Sequence, residues 1–84
     1  KKKNRSVVLK WKKTQAGKIS GYKIYRKTDN RKWHLIKTVS PKQKYYRNRG
    51  LKRGVRYSYK IRSYKKVKGK IVYSNYSKVK TRRL

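Results

Sequence analysis

Between Tyr57 and Tyr64 the chain alternates without a break. Tyr57, Tyr59, Ile61 and Ser63 fall on one side of an extended backbone, and Ser58, Lys60, Arg62 and Tyr64 fall on the other. A period of two over that length predicts a half-buried strand, with the odd-numbered set facing a core. The same period recurs upstream. Ser6 to Trp11 places Val7, Leu9 and Trp11 on one face with Val8 and Lys10 opposite. A polar loop over 12–18, containing Gly17, leads to Ile19, Tyr22 and Ile24, the anchors of a second strand entered through Gly21, with Lys23 and Tyr25 pointing the other way. Thr28-Asp29-Asn30 reads as a turn whose Asx side chains bond nearby backbone. Trp33 to Val39 is a third strand; Leu35 and Ile36 are adjacent, so only one can face in, and Ile36 is the expected one. Ser40-Pro41-Lys42 breaks the run, and Lys44 to Arg47 gives a short strand with Tyr45 or Tyr46 inward. After the long strand, the stretch 65–70 with Gly69 closes a hairpin into a last strand, Ile71 to Thr81, carrying Val72, Tyr73, Tyr76 and Val79, and the chain ends in Arg82-Arg83-Leu84. No helical period is sustained, and no repeat of about 20 to 50 residues is visible. The prediction is an all-β antiparallel fold.

Composition sets the scale of that fold. Eighty-four residues make one small domain over 1–84, which buries a modest share of its surface and has a thin margin of stability. With no Cys and no Met there is no disulfide framework, no thiolate metal site and no thiol nucleophile, so packing alone must hold the chain. No stretch approaches the ~20 apolar residues of a membrane span, and no charged segment followed by an apolar one opens the chain, so a soluble domain is expected.

Charge changes the picture most. Thirty-one Lys and Arg stand against a single acid, a formal charge of +30. High charge with low hydropathy ordinarily means disorder. Disordered chains, however, lack aromatic and β-branched residues, whereas nine Tyr and two Trp are interleaved here with the charges. The alternation therefore argues for a folded domain. Catalysis needs an acid or base, a nucleophile or a metal, and one His, one Asp, no Glu and no Cys argue against an enzyme. His34, between Trp33 and Leu35 on a strand, reads as a surface residue without co-ligands, so no metal and no cofactor are expected. Asn4-Arg5-Ser6 and Asn75-Tyr76-Ser77 meet the glycosylation pattern, which is short enough to arise by chance.

The alternating segments resemble the fibronectin type III domain along nearly the whole chain. Val7-x-Leu9-x-Trp11 looks like its strand with the tryptophan, Ile19-x-Gly21-Tyr22-x-Ile24 like the next, and Tyr73-Ser74-x-x-Ser77-x-Val79 like the last. Leu51-x-x-Gly54-x-x-Tyr57-x-Tyr59-x-Ile61 is similar to the tyrosine corner and the strand that follows it, in which a phenol folds back to an upstream backbone group. Leu51, Gly54 and Tyr57 take the corner positions. The resemblance implies an immunoglobulin-like sandwich of two antiparallel sheets. Arg53 stands where proline is frequent in the family. Only six residues precede Val7, so the family's first strand is expected to be short or missing, leaving the strand at Val7 with an open edge. The wording of Gly21-Tyr22-Lys23-Ile24-Tyr25-Arg26 and Lys70-Ile71-Val72-Tyr73-Ser74 is similar to repeats of secreted Gram-positive bacterial proteins. That likeness implies a secreted or cell-surface ancestor, a spacer or binder rather than a catalyst.

Such surfaces ordinarily mix both signs of charge. Here nearly every outward position is basic while the inferred inward ones are intact, the pattern expected of a positively supercharged, engineered scaffold. A folded chain of this mass exposes ~5,000 Å², so surplus charges sit ~13 Å apart. Contact with polyanions, whether nucleic acid or an acidic protein, is then expected to be diffuse and non-specific, through Lys10, Lys23, Arg26, Arg47, Arg49, Lys60, Arg62, Lys78 and Lys80. Self-repulsion favours a monomer, and no small-molecule substrate is implied. Tyr25, Tyr64 and Tyr76 are candidates for stacking on bases, set against ordinary strand propensity. Two other functions compete with the scaffold: a natural adhesion or spacer module of a multidomain bacterial protein, and a dedicated nucleic-acid-binding domain. Charge spread evenly over the surface favours the first, and an aromatic cleft or an open edge would favour a specific binder.

Overall fold

The computed structural model describes residues 6–12, 19–74 and 76–83. These form seven strands: β1 (Val7–Lys10), β2 (Gly21–Thr28), β3 (His34–Val39), β4 (Tyr45–Asn48), β5 (Arg56–Val67), β6 (Lys70–Tyr73) and β7 (Lys80–Arg83). β1 pairs antiparallel with β4 in one sheet. The other runs β3-β2-β5-β6, with β7 also on β5, and all of its pairings are antiparallel. Among the described residues the edge of β1 away from β4 carries no strand. Residues 1–5, ahead of it, where the family's first strand was expected to be short or missing, lie outside the described residues, as do residues 13–18 of the predicted loop and both asparagines of the glycosylation patterns.

The core lies between the sheets and follows the alternation. Val7 and Leu9 of β1, Tyr22 and Ile24 of β2, Val39 of β3, Leu51 of the corner and Tyr57, Tyr59 and Ile61 of β5 are all buried. Each fully buried aliphatic or aromatic side chain contributes roughly 1.5 to 3 kcal/mol relative to exposure. Ile19, Ile36, Tyr46 and Val55 pack half-buried against this cluster, so Ile36 and Tyr46 are the inward members of their pairs. Leu35 and Tyr45 are exposed. Trp11 follows β1 and is only half-buried, its ring 5.6 Å from that of Tyr22 at 56°.

The corner is closed by one hydrogen bond: the Lys52 N–H donates to the Tyr57 hydroxyl at 2.8 Å. Gly21 is required by close approach, since a Cβ there would meet the Val39 carbonyl oxygen and would lie 3.0 Å from the Tyr64 ring, which covers the position. The β5–β6 hairpin turns on Lys68 and Gly69, both at positive φ (47° and 81°), the geometry that twists in step with the flanking strands.

Three expectations need correction. The last strand is not continuous from Ile71 to Thr81. It breaks between β6 and β7, and Val72, Tyr73, Tyr76 and Val79 are all exposed. The reason is local: the Ser74 and Ser77 hydroxyls accept from the backbone N–H groups of Ser63 and Ile61, at 2.9 and 3.0 Å, taking places a strand's carbonyls would fill. Ser58 was assigned to the solvent side but is 4% exposed, because β7 lies against it and its Oγ is 3.0 Å from Thr81 Oγ1. Finally, the Asp29 carboxylate does not bond its own turn. It accepts from the Arg56 N–H at 3.2 Å, a residue brought alongside by the β2–β5 pairing.

Candidate polyanion interface

The predicted contact residues divide by strand parity into separate groups. In β2 and β5 the residues between the core positions point outward, so Lys23, Tyr25, Lys60, Arg62 and Tyr64 share the outer face of the larger sheet. Lys10 and Arg47 belong to the outer face of the smaller sheet, on the far side of the core. Arg49 is exposed just after β4. Lys78 and Lys80 are exposed at the β7 edge, where with Lys10 and Lys12 they rim a cleft floored by Leu9, Trp11, Tyr59 and Ile61.

Arg26 was expected on the surface and is not there. It pairs with Tyr59 in the β2–β5 register and therefore faces inward, half-buried. Its Nη1 donates to Asn48 Oδ1 at 2.9 Å, and its guanidinium lies 5.4 Å from the Tyr57 ring. The Tyr59 hydroxyl donates to the same Asn48 oxygen at 2.7 Å, so one buried carbonyl ties β2, β4 and β5 together across the sandwich. Burial disfavours the phenolate and pushes the Tyr59 pKa up to about 12, in spite of the nearby Arg26 charge. Arg26 and Asn48 thus serve the inside of the fold. The parity that places Asn48 inward with Tyr46 was available in the sequence, but polar residues carry no signal of burial by themselves.

On the outer face of the larger sheet, cations and rings alternate. The Lys27 ammonium is 5.2 Å from the Trp33 ring, and the Lys60 ammonium is 4.4 Å from the same ring and 3.8 Å from Tyr76. The Arg62 guanidinium is 4.6 Å from Tyr76, 3.6 Å from Tyr73 and 5.3 Å from Tyr25. Two of its nitrogens, Nε and Nη2, also donate to the Tyr25 hydroxyl at 3.3 and 3.0 Å. Tyr25 and Tyr76 meet edge to face at 5.4 Å, and Lys23 sits 4.6 Å from Tyr64. All three stacking candidates therefore lie on one face. Trp33, Tyr73 and Lys27 complete it and were not singled out from the sequence. Lys27 follows Lys23 and Tyr25 along β2 by the same alternation, whereas Trp33 and Tyr73 come from other segments that only the folding of the sheet brings alongside.

Electrostatically this face is unopposed. The single acid, Asp29, lies in the β2–β3 turn and is engaged with the Arg56 backbone. Each ring helps hold a cation in place by roughly 0.5 to 1 kcal/mol at exposed positions. Spread over 6954 Å² of surface, the surplus charge leaves about 230 Å² per unit and a spacing of ~15 Å, wider than the sequence expectation because the surface exceeds that of a compact chain of this mass. Among the described residues no three His, Cys, Asp or Glu side chains come together. Residues 1–80 match the fibronectin type III domain family. No curated protein matches the chain.

Proposed function

The chain belongs to the fibronectin type III family, and on that premise we propose that it is a non-enzymatic, positively supercharged scaffold that binds polyanions by electrostatic contact. Fibronectin type III domains are generally non-catalytic scaffold modules. The observation that carries the proposal is that Lys10 and Arg47 stand on the outer face of one sheet and Lys23, Lys60 and Arg62 on that of the other, in a chain with 31 Lys and Arg and one acid to oppose them. A polyanion approaching from either side meets fixed cations and releases condensed counterions on contact.

The fate of the one acid supports an engineered origin from a scaffold resembling the secreted bacterial repeats. Wholesale replacement of surface carboxylates would spare the one with a structural task, and Asp29 has one. It sits at φ 49°, which Asp tolerates better than most residues, and its carboxylate accepts the Arg56 N–H where β5 begins. The intact core agrees with replacement confined to the surface.

The test is a titration of labelled duplex DNA at several salt concentrations, with scrambled sequences and an acidic protein as comparators. Affinity should fall linearly in log-log with salt, with a slope of about −0.9 per phosphate neutralised, and scrambling should leave it unchanged. Affinity independent of salt, or no binding at low salt, overturns the proposal.

A further inference from the structure

The outer face of the larger sheet is more than a share of diffuse charge. Followed through its contacts, it is one unbroken series of cation and ring: Lys27, Trp33, Lys60, Tyr76, Arg62, Tyr73. Successive members lie between 3.6 and 5.2 Å apart, measured from charge to ring centroid. Simple charge display does not need rings, and packing in the core does not account for them, because Tyr73 and Tyr76 are each 41% exposed and sit with Lys60 and Arg62 on the side of the sheet away from the core. Resting on the polyanion reading above, we infer that this face is a binding site for single-stranded nucleic acid, with the cations meeting phosphates and the rings meeting unpaired bases.

The chemistry selects that ligand. A single strand is itself an alternation of charge and π-face, and proteins that hold one without sequence preference combine a basic track with aromatic platforms. A duplex keeps its bases stacked inside and offers these rings only sugar and phosphate. An acidic protein or a polyphosphate can satisfy Lys60 and Arg62 but leaves Tyr73 and Tyr76 nothing to stack on. The face is about four strands wide, ~15 Å at the spacing of neighbouring strands, enough for a few nucleotides laid across it. No acidic side chain stands among its members, so nothing repels the incoming backbone. Arg62, the guanidinium of this series, already turns two of its donors to the Tyr25 hydroxyl and so does not present that fork to a base edge, and binding is accordingly indifferent to sequence.

The experiment compares three probes at one salt concentration: oligo-dT, a duplex with the same number of phosphates, and inorganic polyphosphate. Each is titrated against the unaltered protein, Tyr73→Leu, Tyr76→Leu and the aromatic replacement Tyr76→Trp. Both rings are solvent-facing, so their replacement leaves the core intact. Each leucine variant should weaken oligo-dT binding by ~5- to ~150-fold, the range set by stacking of a single base, while duplex and polyphosphate change by less than about twofold. Tyr76→Trp should retain oligo-dT affinity, and the tryptophan fluorescence of the unaltered protein, to which Trp11 and Trp33 both contribute, should be partly quenched by oligo-dT and not by polyphosphate. Polyphosphate and oligo-dT binding that are equally sensitive, or equally insensitive, to the leucine variants overturns this site and leaves the electrostatic reading standing. Failure of all three probes to bind the unaltered protein at low salt overturns the electrostatic reading itself.

Discussion

The inner and outer faces of β2 and β5 are built on the same backbone from much the same residue types, yet their tyrosines do different work. Inward, Tyr57 and Tyr59 are buried and their hydroxyls are held, that of Tyr57 by the Lys52 N–H and that of Tyr59 on the Asn48 carbonyl oxygen beside Arg26. Outward, Tyr25 and Tyr64 are half-buried and have cations against their rings, Arg62 and Lys23. A tyrosine one residue along changes from a crossbeam of the sandwich to part of its charged surface. On the proposed reading, what the strand alternation separates is stability from binding: the inner face holds the domain together, and the outer face carries charge without entering the core.

The contrast is broken most directly at neighbouring positions. Ile24 has no exposed surface, and Ile24→Ala should lower stability by roughly 2 to 5 kcal/mol, read from the denaturant midpoint. Lys23→Ala, one residue away on the outer face, should change it by less than about 0.5 kcal/mol. Comparable losses at the two positions would mean that the faces are not separate.

A smaller effect sharpens the inner side. Tyr59→Phe removes one buried hydrogen bond and should cost about 1 kcal/mol at neutral pH, leaving Arg26 on the Asn48 oxygen. Its pH dependence is diagnostic. The folded chain keeps the Tyr59 proton up to about pH 12, whereas the unfolded chain loses it near 10. The folded state therefore binds more protons in that window, and the stability from this group is complete below pH 10 and declines as pH rises from 10 through 12. Loss of lysine charge over the same range affects both proteins alike. The advantage of the unaltered protein over Tyr59→Phe should thus shrink by on the order of 2 to 3 kcal/mol across the window, enough to reverse their order. Parallel pH profiles would contradict the burial of this hydroxyl.

The smallest effect belongs to the outer face. Tyr25→Leu removes the hydroxyl that Arg62 bonds and the edge contact with Tyr76, but in water-exposed surroundings the cost should stay below about 1 kcal/mol. Thermal melts of the two proteins measured side by side should differ by less than about 8 °C, the shift that 1 kcal/mol gives a domain of this size.

The sandwich was legible in the sequence because its signal is local. The alternation from Tyr57 to Tyr64 and the spacing of Leu51, Gly54 and Tyr57 each lie within one short segment, and period two assigns their faces without reference to the rest of the chain. What was not legible depends on partners far along the chain. Ser58 is covered on the outer side because Thr81 lies beside it, and Arg26, which shares the parity of Tyr22 and Ile24, finds in β4 a buried partner, Asn48, that its own segment does not announce. The break in the last strand is set by where the Ser74 and Ser77 hydroxyls meet β5. The outer face was half legible: Tyr25, Tyr64 and Tyr76 were singled out, but Tyr73 joins them through the β5–β6 register and Trp33 by lying against Lys27 and Lys60, and no single segment encodes either.

The separation of the two faces is tested most directly by crossing one variant from each with both readouts, denaturant midpoint and affinity for oligo-dT, in Tyr59→Phe and Tyr76→Leu. Tyr59→Phe should lower the midpoint and leave affinity within about twofold, while Tyr76→Leu should leave the midpoint in place and lose ~5- to ~150-fold in affinity. Two variants that move both readouts together, or a Tyr76→Leu protein that binds as well as the unaltered one, would contradict it.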